Sequence, residues 1–333
     1  MSIAAETVNA NGGSHQKFLL QSFPLFSGAC ISPLTVAYTT YGKPNADRNN
    51  FVLVLPGTSN TRHGALLHIG PGRAFDTGRF CVVSIDAIGG GDSTQPGDGL
   101  GVDFPPYSVA DMVLAQHALA LHLTKGSPLA AVAGASMGAF QALEWVVRFP
   151  HLVSAAVLLV PAARAGQLFK ETVRQMRRII ELDPAWQSGN YRSNPIAGLR
   201  AAGHHYFPWT VTDAYLESVT PETLAEDTQA VADNFALWDA WSLIRRYEAS
   251  SQFDISAGRG SLDNVLANIR ARLLIMPCHQ DRLLGVDSAK MIHRLAPKSD
   301  YVEIDSLRGH LAWRPIAESK ETRLIWRTVS QWL

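Results

Sequence analysis

The sequence has no excess of charge of either sign, because its 333 residues carry 29 Lys and Arg against 29 Asp and Glu. Proteins that bind nucleic acid through its phosphates usually present a basic patch or stripe. The even balance therefore argues against a nucleic-acid partner, and we expect none.

Long apolar runs and paired cysteines are also missing. The longest apolar stretch, "SAAVLLVPAA", is much shorter than the roughly 20 residues of a membrane span. The N-terminus shows no basic segment followed by an apolar one, so no secretory signal is predicted. Cys30, Cys81 and Cys278 have neither zinc-site nor disulfide-framework spacing. We therefore expect a cytoplasmic protein with no membrane partner, in which the cysteines are small buried hydrophobes.

Motifs for metals and for phosphate-bearing cofactors are absent as well. His117 and His122 are five residues apart, whereas two ligands on one helical face are four apart. His63 and His68 show the same spacing of five. The glycine-rich runs "HIGPGR" and "GGGDSTQPGDGLG" lack the Gly-Lys-Ser/Thr of a P-loop. The sequence therefore predicts no metal site and no cofactor.

Short apolar runs alternate with helical segments over most of the chain. Residues 50–57, "NFVLVLPG", form a continuous apolar run closed by Pro-Gly, which is typical of a central strand buried on both faces. A helix over 108–123 begins with a capping box of Ser108 and Asp111. The alternation predicts an α/β protein with a mostly parallel, doubly wound sheet. Further strands are predicted at 17–26 and 34–42 (an antiparallel pair), 80–87, 129–135, 154–160, 271–278 and 300–305, and further helices at 137–149, 287–296 and from about Pro315.

The pattern of predicted secondary structure changes near the middle of the sequence. From about Arg164 to Asn268 the strand-like runs stop, and helical segments rich in Trp, Tyr, Phe and paired arginines replace them. The strand and helix alternation resumes afterwards. We interpret residues 164–268 as a helical lid inserted into a catalytic core of residues 1–163 and 269–333.

A serine between two glycines follows one of the predicted strands. The residues Gly134-Ala135-Ser136-Met137-Gly138 fit the Gly-x-Ser-x-Gly nucleophile elbow, a strained strand-to-helix turn that exposes the serine oxygen. A side chain at either glycine would clash with the neighbouring strand or helix. A glycine-rich turn with an uninvolved serine fits these five residues equally well, so the assignment depends on finding a base and an acid elsewhere.

The base and the acid are found in the chain order that such a fold requires, which is Ser, then Asp or Glu, then His. Asp281 follows the strand predicted at 271–278, and His310 follows the strand predicted at 300–305. We therefore predict Ser136 as the nucleophile, His310 as the base and Asp281 as the acid that orients it.

Other titratable residues near these positions fit other roles. His279 precedes the acid and would break the order. Asp287 suits the cap of the helix that follows, and Asp305 closes a strand. The adjacent His204 and His205 in the lid suit a solvated or packed pair at the entrance.

Two backbone N–H groups are needed to stabilise the oxyanion of an acyl-transfer reaction. Met137 supplies one, because it directly follows the nucleophile. The other is expected from the loop "PGTSN", in which Pro56 has no N–H and Gly57 keeps the turn tight. We predict Thr58 as this second donor.

Beyond these residues, the chain resembles the homoserine O-acetyltransferase-like branch of the α/β-hydrolase superfamily. The matching segments are collinear and cover nearly the whole chain, with the lid weakest. They include "LTVAYTTYGKPNADRNNFVLV", "IGPGRAFDTGRF", "GGGDSTQP", "GASMGAFQALEWVVRFP", "GLRAAG" and "GH" at 309–310. The resemblance implies an α/β-hydrolase fold with Ser136, Asp281 and His310 as the triad, and a homodimer formed through the lid.

The chain departs from this family at the acceptor site. The homoserine enzymes carry an aspartate directly after the catalytic histidine, where it meets the acceptor's ammonium, and here that residue is Leu311. They also carry an arginine early in the lid for the acceptor's carboxylate, but no arginine follows Arg200 in "AAGHHYFPWT". Pro56 and Ala139 replace the usual His and Gly. The loss of both charged contacts favours water as the acceptor.

We therefore predict a serine-dependent hydrolase of short-chain, acetate-like acyl esters that works through an acyl-enzyme on Ser136. The small-molecule substrate is an ester or a thioester. The alternative is an acyl-CoA-dependent O-acyltransferase, similar to homoserine O-acetyltransferase, acting on a hydroxyl acceptor. A non-catalytic ligand-binding protein on the same fold is a third hypothesis, and the complete triad argues against it.

Overall fold

The computed structural model describes residues 7–8 and 12–333. The strands among these residues are β1 (Thr7–Val8), β2 (Ser14–Leu20), β3 (Phe23–Pro24), β4 (Cys30–Ile31), β5 (Leu34–Tyr41), β6 (Phe51–Leu55), β7 (Cys81–Ile85), β8 (Ala131–Ala135), β9 (Ala155–Leu159), β10 (Arg272–Met276) and β11 (Ser299–Tyr301). Nine of them form one sheet in the order β1-β2-β5-β7-β6-β8-β9-β10-β11.

Helices connect the strands and also form a long insertion between β9 and β10. The α-helices of the described residues are α1 (Val109–Thr124), α2 (Met137–Arg148), α3 (Gln167–Glu181), α4 (Ile196–Thr210), α5 (Asp213–Ser218), α6 (Pro221–Ala236), α7 (Ala240–Ser251), α8 (Leu262–Ala267), α9 (Val286–Leu295) and α10 (Lys320–Trp332). Short 3₁₀ helices lie at Leu66–His68, Pro96–Asp98, Gly101–Asp103, Pro184–Gly189 and Gly309–Trp313.

The sheet is parallel from β7 through β6, β8, β9 and β10 to β11. At the other end β2 pairs antiparallel with β5, as predicted for the opening pair, and β5 pairs antiparallel with β7. Both faces are covered, because alternate residues of β6 enter different cores. Val52 packs in one core with Ile325 of α10, and Leu53 packs in the other with Met112 of α1. The mostly parallel, doubly wound α/β fold is confirmed.

Several predicted strands end early for local reasons. The strand predicted at 271–278 stops at Met276, because Pro277 has no N–H to donate to a neighbour. The strand predicted at 300–305 is regular only through Tyr301, and a single bridge of Ile304 to Cys278 resumes the pairing. The segment predicted at 17–26 leaves the sheet after β2, and its second part pairs with β4 in a separate two-stranded sheet.

The last helix also begins later than predicted. α10 starts at Lys320 rather than near Pro315, because Ser319 accepts a hydrogen bond from the N–H of Thr322 at 3.2 Å and caps the first turn. The residue before the proline, Arg314, has extended backbone, which is the conformation that a following proline imposes.

The cysteine prediction is correct for two residues and wrong for the third. Cys81 and Cys278 are fully buried, and burial raises the pKa of both thiols. Cys30 is exposed, because β4 belongs to the small separate sheet and turns its next residue, Ile31, into the core instead.

The insertion is closed by a short antiparallel contact. The N–H of Ala165 donates to Phe253 O at 2.8 Å, and the N–H of Ile255 donates to Ala163 O at 3.0 Å. The chain therefore leaves and re-enters the core at neighbouring points, with α3 to α7 between them. The exact division at residues 164 and 268 and a homodimer through the lid stay predictions. None of the helices in the described part of the chain combines the length and apolar character needed to cross a bilayer.

Candidate active site

The elbow at the end of β8 holds Ser136 in an unusual backbone conformation, with φ +56° and ψ −121°. Such a conformation is strained for a residue with a side chain and persists only where the surroundings enforce it. The surroundings here require glycine on both sides. A Cβ on Gly134 would lie 2.4 Å from the carbonyl carbon of Gly138, and a Cβ on Gly138 would lie 2.3 Å from Leu55 O. The two glycines therefore allow the start of α2 to pass close to β8 and β6.

The three predicted side chains meet in one hydrogen-bonded line. His310 Nε2 is 2.9 Å from Ser136 Oγ, and His310 Nδ1 is 2.7 Å from Asp281 Oδ2. His310 and Asp281 are buried, and Ser136 is half-buried. This is the geometry of a nucleophile, a base and an orienting acid.

The loop after β10 fixes the carboxylate. Asp281 Oδ1 accepts hydrogen bonds from the N–H groups of Leu283 at 2.9 Å and Leu284 at 3.1 Å. Its other oxygen is thereby directed to His310. A carboxylate held in this way selects the tautomer with the proton on Nδ1, which leaves Nε2 free to accept a proton from Ser136.

The alternative residues lie away from this line. His279 is exposed and its Nδ1 is 3.0 Å from Glu303, while Asp305 is exposed on the surface. Asp287 lies in the first turn of α9, but the prediction that it caps this helix is wrong, because the N-cap residue is Gly285 and no side-chain capping hydrogen bond forms. His204 Nε2 is 3.2 Å from Gln229 on an exposed helix face. His205 is half-buried, and its Nε2 has no partner among the described residues.

The two predicted oxyanion donors carry uncommitted backbone N–H groups. Within the described residues, neither the N–H of Thr58 nor that of Met137 donates a hydrogen bond. Thr58 lines the same cavity as Ser136 and His310, and Met137 is the first residue of α2. Their role at an oxyanion stays a prediction.

A fully buried arginine in the lid donates hydrogen bonds to the loop that carries Thr58. Arg246 Nε donates to Thr58 O at 2.7 Å, and its Nη2 donates to Gly57 O at 2.9 Å and Asn60 O at 3.1 Å. Its Nη1 lies 3.3 Å from Ala87 O and 3.4 Å from Ile88 O. Burial lowers the pKa of Arg246, but an arginine remains protonated in proteins. The cation therefore fixes the loop through carbonyl oxygens.

The sequence contained only a weak signal for this residue. The paired arginines of "LIRRYEA" mark the lid, but their spacing does not indicate which one faces the core. Arg245, the neighbour, instead pairs with Glu248 at 3.0 Å and lies over the ring of Trp241. Arg200, the last arginine before the altered lid segment, is exposed and pairs with Asp233 at 3.0 Å.

The triad opens into a cavity of about 300 Å³ beneath the lid. Its walls in the described residues include no acidic side chain, and one wall residue, Arg314, is a cation. The lining residues are Gly57, Thr58, Ser59, Asn60, Ser136, Tyr206, Tyr247, His310, Leu311, Trp313 and Arg314.

A second histidine from the sequence analysis supports the turn that carries His310. His68 is buried, its Nε2 lies 3.0 Å from Trp313 O, and Trp326 Nε1 donates to its Nδ1 at 3.1 Å. The proton is therefore on Nε2. Burial lowers the pKa of His68 to about 4, so the ring is neutral and has a structural role, not that of a metal ligand.

Comparisons with known proteins agree with this fold. A family model described as the alpha/beta hydrolase fold matches residues 51–311. An ethyl acetate hydrolase of Pseudomonas veronii is 30% identical, over 90% of each chain. A homoserine O-acetyltransferase of Geotalea daltonii is also 30% identical, over 87% of this chain and 90% of its own. The crystal structure of an acetylester hydrolase from Corynebacterium glutamicum superposes with a TM-score of 0.89 at 25% identity, over 95% of both chains.

Proposed function

Because the chain belongs to the α/β-hydrolase fold family, in its homoserine O-acetyltransferase-like branch, we propose that it is a serine-dependent hydrolase of short-chain acyl esters. Similarity to an ethyl acetate hydrolase and to homoserine O-acetyltransferases supports an enzyme that hydrolyses esters or transfers acyl groups. The choice between the two depends on what accepts the acyl group.

The first half of the reaction forms an acyl-enzyme. Ser136 Oγ attacks the ester carbonyl carbon while His310 Nε2, at 2.9 Å, takes its proton. The carbonyl oxygen becomes an oxyanion, and the N–H groups of Thr58 and Met137 donate hydrogen bonds to it. The imidazolium then gives its proton to the leaving alkoxide oxygen as the C–O bond breaks. An alcohol departs, and the acyl group remains on Ser136.

The second half returns the enzyme to its starting state. His310 takes a proton from water, and the water oxygen attacks the acyl carbon. The second tetrahedral intermediate collapses, the bond to Ser136 Oγ breaks, and the imidazolium returns the proton to that oxygen. Asp281 stabilises the imidazolium in both halves through its contact of 2.7 Å with Nδ1.

The charge of the cavity is the observation that supports water as the acceptor. An amino-acid acceptor such as homoserine carries an ammonium, which needs an anionic partner when it leaves bulk water. The described residues offer no acidic side chain in the cavity wall, so the ammonium would have no ionic partner there. Leu311, directly after His310, contributes an apolar surface. Water requires no ionic contact.

The alternative is O-acyl transfer to a hydroxyl compound, which the 30% identity to a homoserine O-acetyltransferase supports. The test uses 4-nitrophenyl acetate and, separately, acetyl-CoA as the acyl donor in the presence of millimolar homoserine. Free acetate and O-acetylhomoserine are then quantified. We expect acetate to dominate with the aryl ester. Dominance of O-acetylhomoserine would show that the enzyme is a transferase.

Ser136→Ala is the matched control for this assay. Both products should disappear in that variant, because each is formed from the same acyl-enzyme. Any product that persists at the wild-type rate comes from a reaction that does not use Ser136.

A further inference from the structure

A cation with no counter-ion lines the cavity that contains Ser136 and His310. Arg314 is half-buried, and its Nε is closed off from solvent without a hydrogen-bond partner among the described residues. In the same part of the chain no carboxylate forms an ion pair with its guanidinium. Charges inside proteins are generally paired, so this arrangement calls for an explanation.

The groups around Arg314 do not neutralise it. Tyr206 and Tyr247, which line the same cavity, are the side chains that could carry a negative charge beside Arg314, and burial raises the pKa of both phenols, that of Tyr247 to about 12. Both are therefore neutral at physiological pH. Arg308, whose Nη1 is 3.4 Å from the backbone oxygen of Arg314, is itself a cation. Among the residues that the structure describes, none compensates the positive charge of Arg314.

The two arginines in the buried class, Arg62 and Arg246, have their partners within the fold, and Arg245, whose Nε also lacks a partner among the described residues, still pairs with Glu248. Arg62 pairs with Asp86 and with Asp92, and Arg246 donates to the carbonyls of the Thr58 loop. Each of these two guanidinium groups therefore has partners for its Nε and for both terminal nitrogens within the fold. Arg314 differs because its guanidinium has neither a carboxylate partner nor a hydrogen bond among the described residues, although the residue lines the cavity that contains Ser136.

We propose that Arg314 binds a carboxylate carried by the ester substrate, so that the enzyme is selective for small anionic esters. This inference rests on the proposed function, because it concerns the substrate of the same cavity. The planar guanidinium matches a carboxylate with two parallel hydrogen bonds. Arg314 directly follows the 3₁₀ turn Gly309–Trp313 that carries His310, which places the carboxylate near the reacting ester. The cavity lies between the Thr58 loop and the lid residues Tyr206 and Tyr247, so we expect the substrate to be a small molecule.

The carboxylate can belong to the acyl group or to the alcohol, and two pairs of esters distinguish these sources. Monomethyl succinate is compared with methyl 4-methylpentanoate, and acetoxyacetate is compared with isobutyl acetate. Within each pair a carboxylate replaces an isopropyl group of similar shape. The kcat/KM of each ester is measured by titration of the released acid, and the charged-to-neutral ratio is the readout.

We expect the wild-type ratio to exceed one for at least one pair, which identifies the side of the ester that carries the carboxylate. Arg314→Met should lower that ratio by about tenfold to a hundredfold, which is the range for a lost hydrogen bond to a charged group. Arg314→Lys keeps the positive charge but loses the planar group that donates two parallel hydrogen bonds, so it should give an intermediate ratio. Arg282→Met is the control, because Arg282 directly follows Asp281 but pairs with Asp213 outside the cavity.

A ratio that is the same in wild type, Arg314→Met and Arg282→Met would overturn the inference, even while hydrolysis of the neutral esters upheld the proposed function. The proposed function fails separately if the wild type hydrolyses no ester of either pair. Should Arg314→Met fail to fold, the wild-type ratio decides, and a ratio at or below one for both pairs rejects the anionic substrate.

Discussion

Replacing Arg246 with methionine should weaken the fold and slow catalysis together. The side chain is fully buried, and it connects lid helix α7 to the loop that follows β6. Its three shortest hydrogen bonds, of 2.7 to 3.1 Å, end on the carbonyls of Gly57, Thr58 and Asn60. Methionine fills similar space but donates nothing, so these carbonyls would lose their partner inside the protein.

The expected magnitude follows from these contacts. A hydrogen bond to a charged group contributes about 1.5–3 kcal/mol, and a buried acceptor left without a partner costs about 1–3 kcal/mol. Because the three contacts share one cation they are not additive, and we expect a loss of about 3–5 kcal/mol, which is more than one such hydrogen bond contributes and less than the sum of three. That is a large part of the 5–15 kcal/mol that typically stabilises a protein. Displacement of the Thr58 N–H should lower kcat by about 10²-fold, the usual effect of losing one oxyanion donor.

Arg245→Met provides the matched control on the same helix. Arg245 pairs with Glu248 and lies over Trp241, without contact to the Thr58 loop. Its loss should cost about 1 kcal/mol, as expected for a partly exposed ion pair, and should leave kcat nearly unchanged. Urea unfolding gives the stability of each variant, and kcat and KM are measured well below its unfolding temperature. Equal effects of the two substitutions on stability and on kcat would refute the role assigned to Arg246.

Three further outcomes are expected. Ser136→Ala should abolish ester hydrolysis while leaving the unfolding transition in place, and more than a few per cent of residual turnover would remove Ser136 from the mechanism. Asp281→Asn should lower kcat on the order of 10⁴-fold, because the imidazole of His310 then adopts the wrong tautomer; a nearly silent substitution would assign the orienting role to another acid. Burial lowers the pKa of His68 to about 4, against about 6.5 in an unfolded chain. The unfolded state therefore binds the proton first, and stability that is present above about pH 6.5 is lost as the pH falls toward about 4, by about 3 kcal/mol. Urea unfolding of His68→Gln across this range should show a flatter dependence, and an unchanged slope would contradict the assignment.

Much of the fold could be predicted from the sequence because its signals are local. The apolar run at 50–57, the capping box of Ser108 and Asp111 and the Gly-x-Ser-x-Gly turn each depend on neighbouring residues, and each appears in the structure. The boundaries that were wrong depend on details that periodicity does not record. Pro277 ends one strand, and the Ser319 cap delays the last helix.

The triad could be predicted because chain order constrains it, whereas the supporting arginines could not. Ser136, Asp281 and His310 each follow a strand of a parallel sheet, and the carboxyl ends of such strands converge at one edge. No comparable rule gives the direction of an arginine side chain. Arg245 and Arg246 are adjacent in sequence, yet one lies partly exposed on Trp241 and the other is buried against the Thr58 loop. The packing of the lid on the core decides between them.

The charge of the cavity around Ser136 could likewise be predicted only in part from the sequence, and it bears on the choice of substrate. The sequence predicted the loss of both charged contacts of a homoserine site, since Leu311 replaces the aspartate and the lid segment lacks its arginine. The structure places a different cation there, because the turn that carries His310 continues into Arg314. A cavity with a positive and no negative side chain disfavours an ammonium and favours a carboxylate. The absent aspartate therefore argues against an amino-acid acceptor, and the added arginine supports the proposed hydrolysis of a small anionic ester.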